Sequence, residues 1–405
     1  MTEAVSPGAG VEPLDQDPRR WGMLALLSAA MLLGMSEWFT ASAVAPELQA
    51  RWGLSGGQVG WLTATVQLGF VAGTAAAALL NLADIVPARW YFAVSALAAA
   101  LANAALLRAG GFESALVARF LTGAFLAGVY PPGMKMIATW FRSARGLAIG
   151  TVVGALTVGK ATPWLLKAVG GAGMATVVLG ASAAGALAGV VAIALYRDGP
   201  YAFARRPFSW GLVGRILRDR PTMLATGGYL GHMWELYAMW TWVPAFLLAA
   251  AARSGVAEGA ADAVAFGAIA AGGLGCVWGG MAADRIGRHR VVTLAMAASG
   301  ACSLIVGALF HAPFELLAIT TWIWGFFVVA DSAQFSALVT EVAPPDTVGT
   351  ALTLQTSMGF LLTMATIQGV PVMVDAFGWP WAFPLLALGP AAGIASIRRL
   401  ARLHV

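Results

Sequence analysis

Charge is scarce in this sequence. Only 11% of its 405 residues are Asp, Glu, Lys or Arg, against about 25% in an ordinary soluble domain. A water-facing surface cannot be built from so little charge, which excludes a soluble globular protein. Cysteine is almost missing as well. Cys276 and Cys302 are the only two and lie inside apolar runs, so they read as free thiols packed as small hydrophobes, without a disulfide framework. There is no phosphate-cradling Gly-rich loop with its Lys, and ATP is therefore not the expected energy source. Zinc-ligand spacing is absent, as is a Ser and His pair on one helix face. The longest internal polar stretch, residues 197–221, has 25 residues, too few for a catalytic module. These absences lead us to expect no enzymatic activity, no cofactor and no bound metal. The formal charge is +5, but the basic residues sit in short gaps between apolar runs rather than as a patch, so no nucleic-acid partner is expected.

What the sequence has in abundance is apolar helix. Crossing roughly 30 Å of hydrocarbon takes about 20 helical residues. Runs of that kind occur at 22–46, 56–80, 90–108, 114–140, 145–168, 172–196, 222–248, 262–283, 290–311, 314–340, 347–372 and 379–398. We number them spans 1 to 12. The 49 glycines and 16 tryptophans suit close helix packing and interfacial anchoring. The expected fold is an all-α membrane protein of twelve transmembrane helices in two six-helix bundles. Its parts are a disordered cytoplasmic tail (1–21), a first bundle (22–196), a cytoplasmic linker (197–221) and a second bundle (222–405). The polar, acidic start does not suit a signal peptide.

Lys and Arg are unevenly divided. With both termini placed in the cytoplasm, 17 fall inside and five outside (Arg51, Arg108, Arg119, Lys167 and Arg253), leaving Lys135 and Lys160 within helices. That bias predicts a multi-pass inner-membrane protein with both ends cytoplasmic. The two halves also look related. Glu37 precedes Pro46 by nine residues and Glu235 precedes Pro244 by nine, in each case an acid followed by a proline expected to end the helix.

A second correspondence lies in the loops. Between spans 8 and 9 the chain reads GMAADRIGRHR, with Asp284, Arg285, Gly287, Arg288 and Arg290; between spans 2 and 3 it reads LNLADIVPARW, keeping Asp84 and Arg89. Pro87 stands where Gly287 stands in the other copy. Between spans 4 and 5, WFRSARG supplies Arg142 and Arg145. These loops resemble the signature of the major facilitator superfamily, the second closely and the first in degraded form. The resemblance implies a transporter whose loop cluster, here Asp284, Arg285, Gly287, Arg288, Asp84, Arg89, Arg142 and Arg145, latches one side shut. Physically, Asp284 suits a helix N-terminus, with Arg285 and Arg288 bridging to it and to adjacent helix ends. The plain alternative is a topology anchor.

Ionisable residues inside the spans are Glu37, Lys135, Lys160, His232, Glu235 and Asp331. A charge at the bilayer centre costs roughly 2.5–3.5 kcal/mol even on a lenient scale. Five of the six lie on spans 1, 4, 7 and 10, which by the resemblance line a central cavity built from repeats. His232, Glu235 and Met239 share a helix face, and Pro131-Pro132 after Tyr130 should break span 4. We read Glu235, His232, Glu37 and Asp331 as proton-coupling residues. Lys160, Lys135, Tyr130, Trp234, Tyr237 and Gln334 are read as substrate-binding residues. Each has a plain alternative as an interhelical brace, a snorkelling lysine or core packing.

The expected function is secondary active transport of a small organic solute, of anionic character, by alternating access with proton coupling. The expected partners are that solute, protons and lipid, with the chain as a monomer. Alternatives are proton-driven efflux of amphipathic compounds, transition-metal transport through His and Met ligands, and a non-transporting membrane sensor. The nitrate branch carries glycine-rich stretches with asparagine in spans 5 and 11; neither span here has that pattern.

Overall fold

In the computed structural model, residues 17–80, 82–170, 173–201 and 209–403 are described. The expected tail lies outside them as far as residue 16, and so does 202–208 of the expected linker. The linker's remainder holds the helix Trp210–Arg218.

Among the described residues the regular structure is all helical. Span 2 is Gly56–Leu79, span 3 Ala88–Arg108, span 4 Phe112–Ala138, span 5 Arg145–Val169 and span 6 Met174–Leu195. Span 7 is Arg220–Ser254, span 8 Glu258–Ile286, span 9 Arg288–His311, span 10 Phe314–Val342, span 11 Val348–Phe377 and span 12 Trp379–Ala401. Each of these eleven is long and apolar enough to cross a membrane. Span 1 completes the twelve but is broken, running Arg19–Gly34, Thr40–Ala43 and Ala45–Trp52. Large apolar side chains such as Leu101, Val169 and Leu274 face outward, as lipid contact requires.

The breaks have local causes. Pro131 and Pro132 have no N–H to give to carbonyls one turn back, so span 4 unwinds over 127–129. It restarts at Tyr130 with the prolines in its first turn, where a missing donor is harmless. Span 10 breaks at Asp331, between Phe314–Ala330 and Ser332–Val342. Irregular backbone at this depth needs protein or a cavity around it, since lipid satisfies no hydrogen bonds.

Neither proline following the matched acids ends its helix. Pro46 opens Ala45–Trp52, and Pro244 lies inside the unbroken span 7. The expectation of terminators is corrected on both. Proline at N1 is as good a helix opener as it is a stop, and a proline inside a long buried helix is held by its neighbours.

The halves repeat one packing device. In the first, the Gly123 position meets the Val66 carbonyl and Gly69 meets that of Phe120, so spans 2 and 4 touch backbone to backbone. In the second, Gly325 meets the Ala268 carbonyl and Gly279 that of Ala330, joining spans 8 and 10 likewise. Between the halves, Gly150 and Gly154 of span 5 lie against the Cys276 and Gly273 carbonyls of span 8. Spans 2 and 11 meet through Gly56 and Pro371, and through a hydrogen bond from Thr363 Oγ1 to Gln67 Oε1.

Candidate substrate cavity and the buried charges

At the centre, between the halves, lies a cavity of about 70 Å³. Span 5 lines it with Val153, Leu156, Thr157 and Lys160, and span 7 with Tyr229, Met233, Leu236, Tyr237 and Trp240. Both sets have the three- and four-residue spacing of one helix face. Tyr130, Val329, Ser332, Ser336, Thr356 and Phe360 complete the wall.

Lys160 is the charged residue of this lining, and no acid accompanies it. Its ammonium donates to Tyr237 Oη at 2.6 Å. It also lies over three rings, with centroids at 4.3 Å for Trp38, 4.9 Å for Tyr237 and 5.0 Å for Trp240. Ring faces stabilise a cation by about 0.5–2 kcal/mol each, which offsets part of the cost of burying the amine to 4% exposure. The rings continue outward as a seal. Trp38 contacts Phe70, Tyr237 and Phe360, and Phe39 contacts Tyr237 and Trp240. This seal closes the route toward the face opposite the termini. On the other side the wall is hydroxyl-rich, with Ser332, Ser336 and Thr356, and Ser336 is exposed.

The buried ionisable residues on spans 1, 7 and 10 are not brought into this cavity. Glu235, though on span 7, points into its own half. Its Oε2 accepts from Ser299 Oγ at 2.8 Å and its Oε1 from Trp324 Nε1 at 2.7 Å. His232 Nδ1 lies 2.9 Å from Asp331 Oδ1, at the span 10 break. Glu37 sits in the span 1 break, its carboxyl against Gly185 of span 6. All four are at most 2% exposed. The shared face of His232 and Glu235 is real, but it is rotated away from the face that carries Tyr237. The expected convergence of the acids on one pocket gives way to three separate sites.

Of the residues read as substrate-binding, Lys160, Tyr130 and Tyr237 line the cavity. Trp234 instead donates to the Leu385 carbonyl of span 12 at 3.1 Å. Gln334 accepts from Arg288 at 2.8 Å. Lys135 lies in the last turn of Tyr130–Ala138, outside the lining.

Sequence reasoning missed Arg119. Counted among the five outside residues, it is fully buried in span 4, which removes it from that tally. It donates to Asn103 Oδ1 at 2.7 Å and to the carbonyls of Glu37 and Trp38 at 3.0 and 2.5 Å. The available signal was its place seven residues past Phe112, beyond snorkelling reach of a helix end.

The Major Facilitator Superfamily model matches residues 26–279, and a model described as sugar (and other) transporter matches residues 236–397. The chain belongs to the Major Facilitator Superfamily. It is a multi-pass membrane transporter of the secondary type. Among solved structures, the nucleoside transporter NupG is similar with a TM-score of 0.71 at 14% identity, over 94% of this chain and 99% of that one. A bacterial homologue of the human lysosomal transporter Spinster, solved inward-facing and unoccupied, is similar with a TM-score of 0.69 at 16% identity, over 96% of each chain. Identities this low speak for the fold alone. No curated protein matches the sequence.

The superfamily loop between spans 8 and 9 has a physical basis here. Gly287 ends span 8 at φ +87°, a conformation open to glycine and strained for other residues. Pro87 in the first copy sits at φ −54°, so that copy cannot make the same turn; the Asp84 side chain lies outside the described part. Asp284 lies against Gly146 in the first turn of span 5, across the halves, where the helix dipole favours an anion. Arg288 does not turn to Asp284. It donates to Glu341 at 2.7 Å and to Gln334, tying span 9 to span 10 within one half. Arg285 and Arg145 are exposed and Arg89 is half-buried, while Arg142 stacks over Tyr201 at 4.9 Å.

Proposed function

We propose that this transporter carries a small organic monoanion, a carboxylate with a flat apolar body, by alternating access driven by protons. One observation carries the reading: a caged ammonium, Lys160, lines the central cavity with hydroxyl donors around it and no acid beside it. A single positive charge among neutral donors suits one negative charge, because an anion entering there finds both a counter-ion and hydrogen bonds. The aromatic rings offer the body of the solute its apolar contact. The cavity is far below the roughly 300–1,000 Å³ of typical ligand sites, so loading requires the halves to part. The buried acids Glu37, Glu235 and Asp331, the last with His232, are the proton-coupling sites of this proposal, since a carrier that moves an anion inward against the membrane potential must bring positive charge with it. The cytoplasm is assigned to the face bearing the termini, and the Asp284 contact with span 5 serves as the latch on that face.

Ligands that bind only the folded form raise its melting temperature. A thermal-shift screen of purified protein against aromatic and aliphatic carboxylates, the matching amides and organic amines tests the substrate class. Carboxylates should raise Tm in the native protein and fail to do so in Lys160→Met. Stabilisation by amines instead would sink the anion reading.

A further inference from the structure

Two tryptophans beside the central cavity carry idle hydrogen-bond donors. Trp38, in the span 1 break, and Trp240 of span 7 are 1% and 2% exposed. Among the described residues, theirs are the indole nitrogens that are buried without a hydrogen-bond partner. Elsewhere the chain meets that need. Trp140 donates to the Arg197 carbonyl, Trp234 to that of Leu385, Trp242 to that of Ile367 and Trp324 to Glu235 Oε1. A buried donor left unmet costs free energy, and buried indole N–H groups ordinarily find acceptors. The rings packed around Trp38 and Trp240, those of Phe39, Phe70, Tyr237 and Phe360, offer only weak acceptance through their faces. Both exceptions flank the same group. The Lys160 ammonium stands 4.3 Å from the Trp38 ring centroid and 5.0 Å from that of Trp240, and its hydrogen bond goes to the neutral Tyr237 Oη. Three donors therefore meet at one spot, two from the first half and one from the second, and the cavity lining beside them has no carboxylate.

We propose that Trp38 and Trp240 are specificity-determining residues, whose indole N–H groups join the Lys160 ammonium in holding the carboxylate of the solute. This rests on the anion reading above and says which anions satisfy it. A carboxylate has two oxygens and about four acceptor sites, enough for one ammonium and two N–H groups. An amide offers one oxygen and an amine none. In the compact form both N–H groups are packed inside the ring cage. The parting of the halves that loading requires uncovers them, and the ammonium turns from the ring faces to the carboxylate. The charge of Lys160 selects for an anion. The indoles select among anions for strong hydrogen-bond acceptors, because a site built to donate rejects an analogue that accepts poorly.

The test compares two aromatic monoanions of similar shape, benzoate and phenyltrifluoroborate, the second of which has boron-bound fluorines that accept hydrogen bonds weakly. Their affinities for the purified protein are measured by calorimetry. The native protein should prefer benzoate. Trp240→Phe and Trp38→Phe should each weaken benzoate binding by about 10- to 100-fold, the effect of losing a hydrogen bond to a charged group, with little change for phenyltrifluoroborate. Trp240 replaced by β-(3-benzothienyl)alanine keeps the bicyclic ring and lacks the N–H, so it should match Trp240→Phe; it preserves the test should a phenylalanine variant not fold. Equal losses for both anions would make the rings walls only, and an unchanged benzoate affinity would leave the N–H groups without a role; either result overturns the inference. Lys160→Met should weaken both anions alike. If it does so while the preference for benzoate survives loss of the indoles, the inference falls and the anion reading stands. If neither anion binds the native protein, both fall.

Discussion

At the scale of single residues, two buried charges differ in what surrounds them. Lys160 has rings and hydroxyls but no counter-ion, which is the condition of a binding group awaiting one. Glu235 has two neutral donors and no cation, which is a place where a carboxyl can be held in either protonation state. A glutamine there offers one acceptor oxygen for two donors, so Glu235→Gln should lower stability by about 1–2 kcal/mol, the cost of one unmatched buried bond. It should also abolish gradient-driven accumulation while solute counterflow persists, as measured in proteoliposomes with and without an imposed pH difference. Loss of both activities together would mean Glu235 is a structural brace. Lys160, Glu235, His232, Asp331 and Glu37 were legible in the sequence as rare charges inside apolar runs. The partners of Glu235 were not, because Ser299 and Trp324 are unremarkable in sequence and meet it only through packing across spans. Arg119 misleads because a charge near a predicted helix end reads as a loop residue.

Elements explain how those residues are held. Apolar runs of about 20 residues located the spans to within a few positions, since burial in lipid demands length and little else. The breaks were half legible. Pro131-Pro132 announced that of span 4, but residues 35–39 and Asp331 contain no proline, and the first is stabilised by bonds with distant residues, Arg119 to the carbonyls of Glu37 and Trp38 and Ser36 to that of Ala181. Close helix crossings are set by glycine. A Cβ on Gly325 would fall 1.6 Å from the Ala268 carbonyl oxygen, so spans 8 and 10 would have to separate. Gly325→Ala should destabilise the protein by about 1–3 kcal/mol, the usual range for overpacking. Gly214→Ala, which meets nothing within 4 Å, should leave thermal unfolding unchanged or raise Tm slightly through helix propensity.

For the whole molecule, the contacts between halves define what must move. The face away from the termini is closed by Gly56 against Pro371, by Gln67 with Thr363, and by the rings around Trp38. A Cβ on Gly56 would stand 3.3 Å from that of Pro371, close to the roughly 3.5–4.5 Å of a disulfide. The double variant Gly56→Cys with Pro371→Cys should cross-link under mild oxidation and stop transport, and reductant should restore it. Full transport by the cross-linked protein would show that this face does not open in the cycle. Two bundles and twelve spans were readable from hydropathy and the repeated loop. The inward turn of Glu235 was not, because helical periodicity gives the angle between faces and leaves open which face meets the cavity.

The most direct measurement is uptake of a small aromatic carboxylate into proteoliposomes under an acid-outside gradient, comparing the native protein with Lys160→Met and Lys160→Arg. Accumulation should follow the gradient in the native protein, vanish in Lys160→Met and survive in part in Lys160→Arg, which keeps the charge. Undiminished accumulation in Lys160→Met would contradict the assignment of the central ammonium as the anion site.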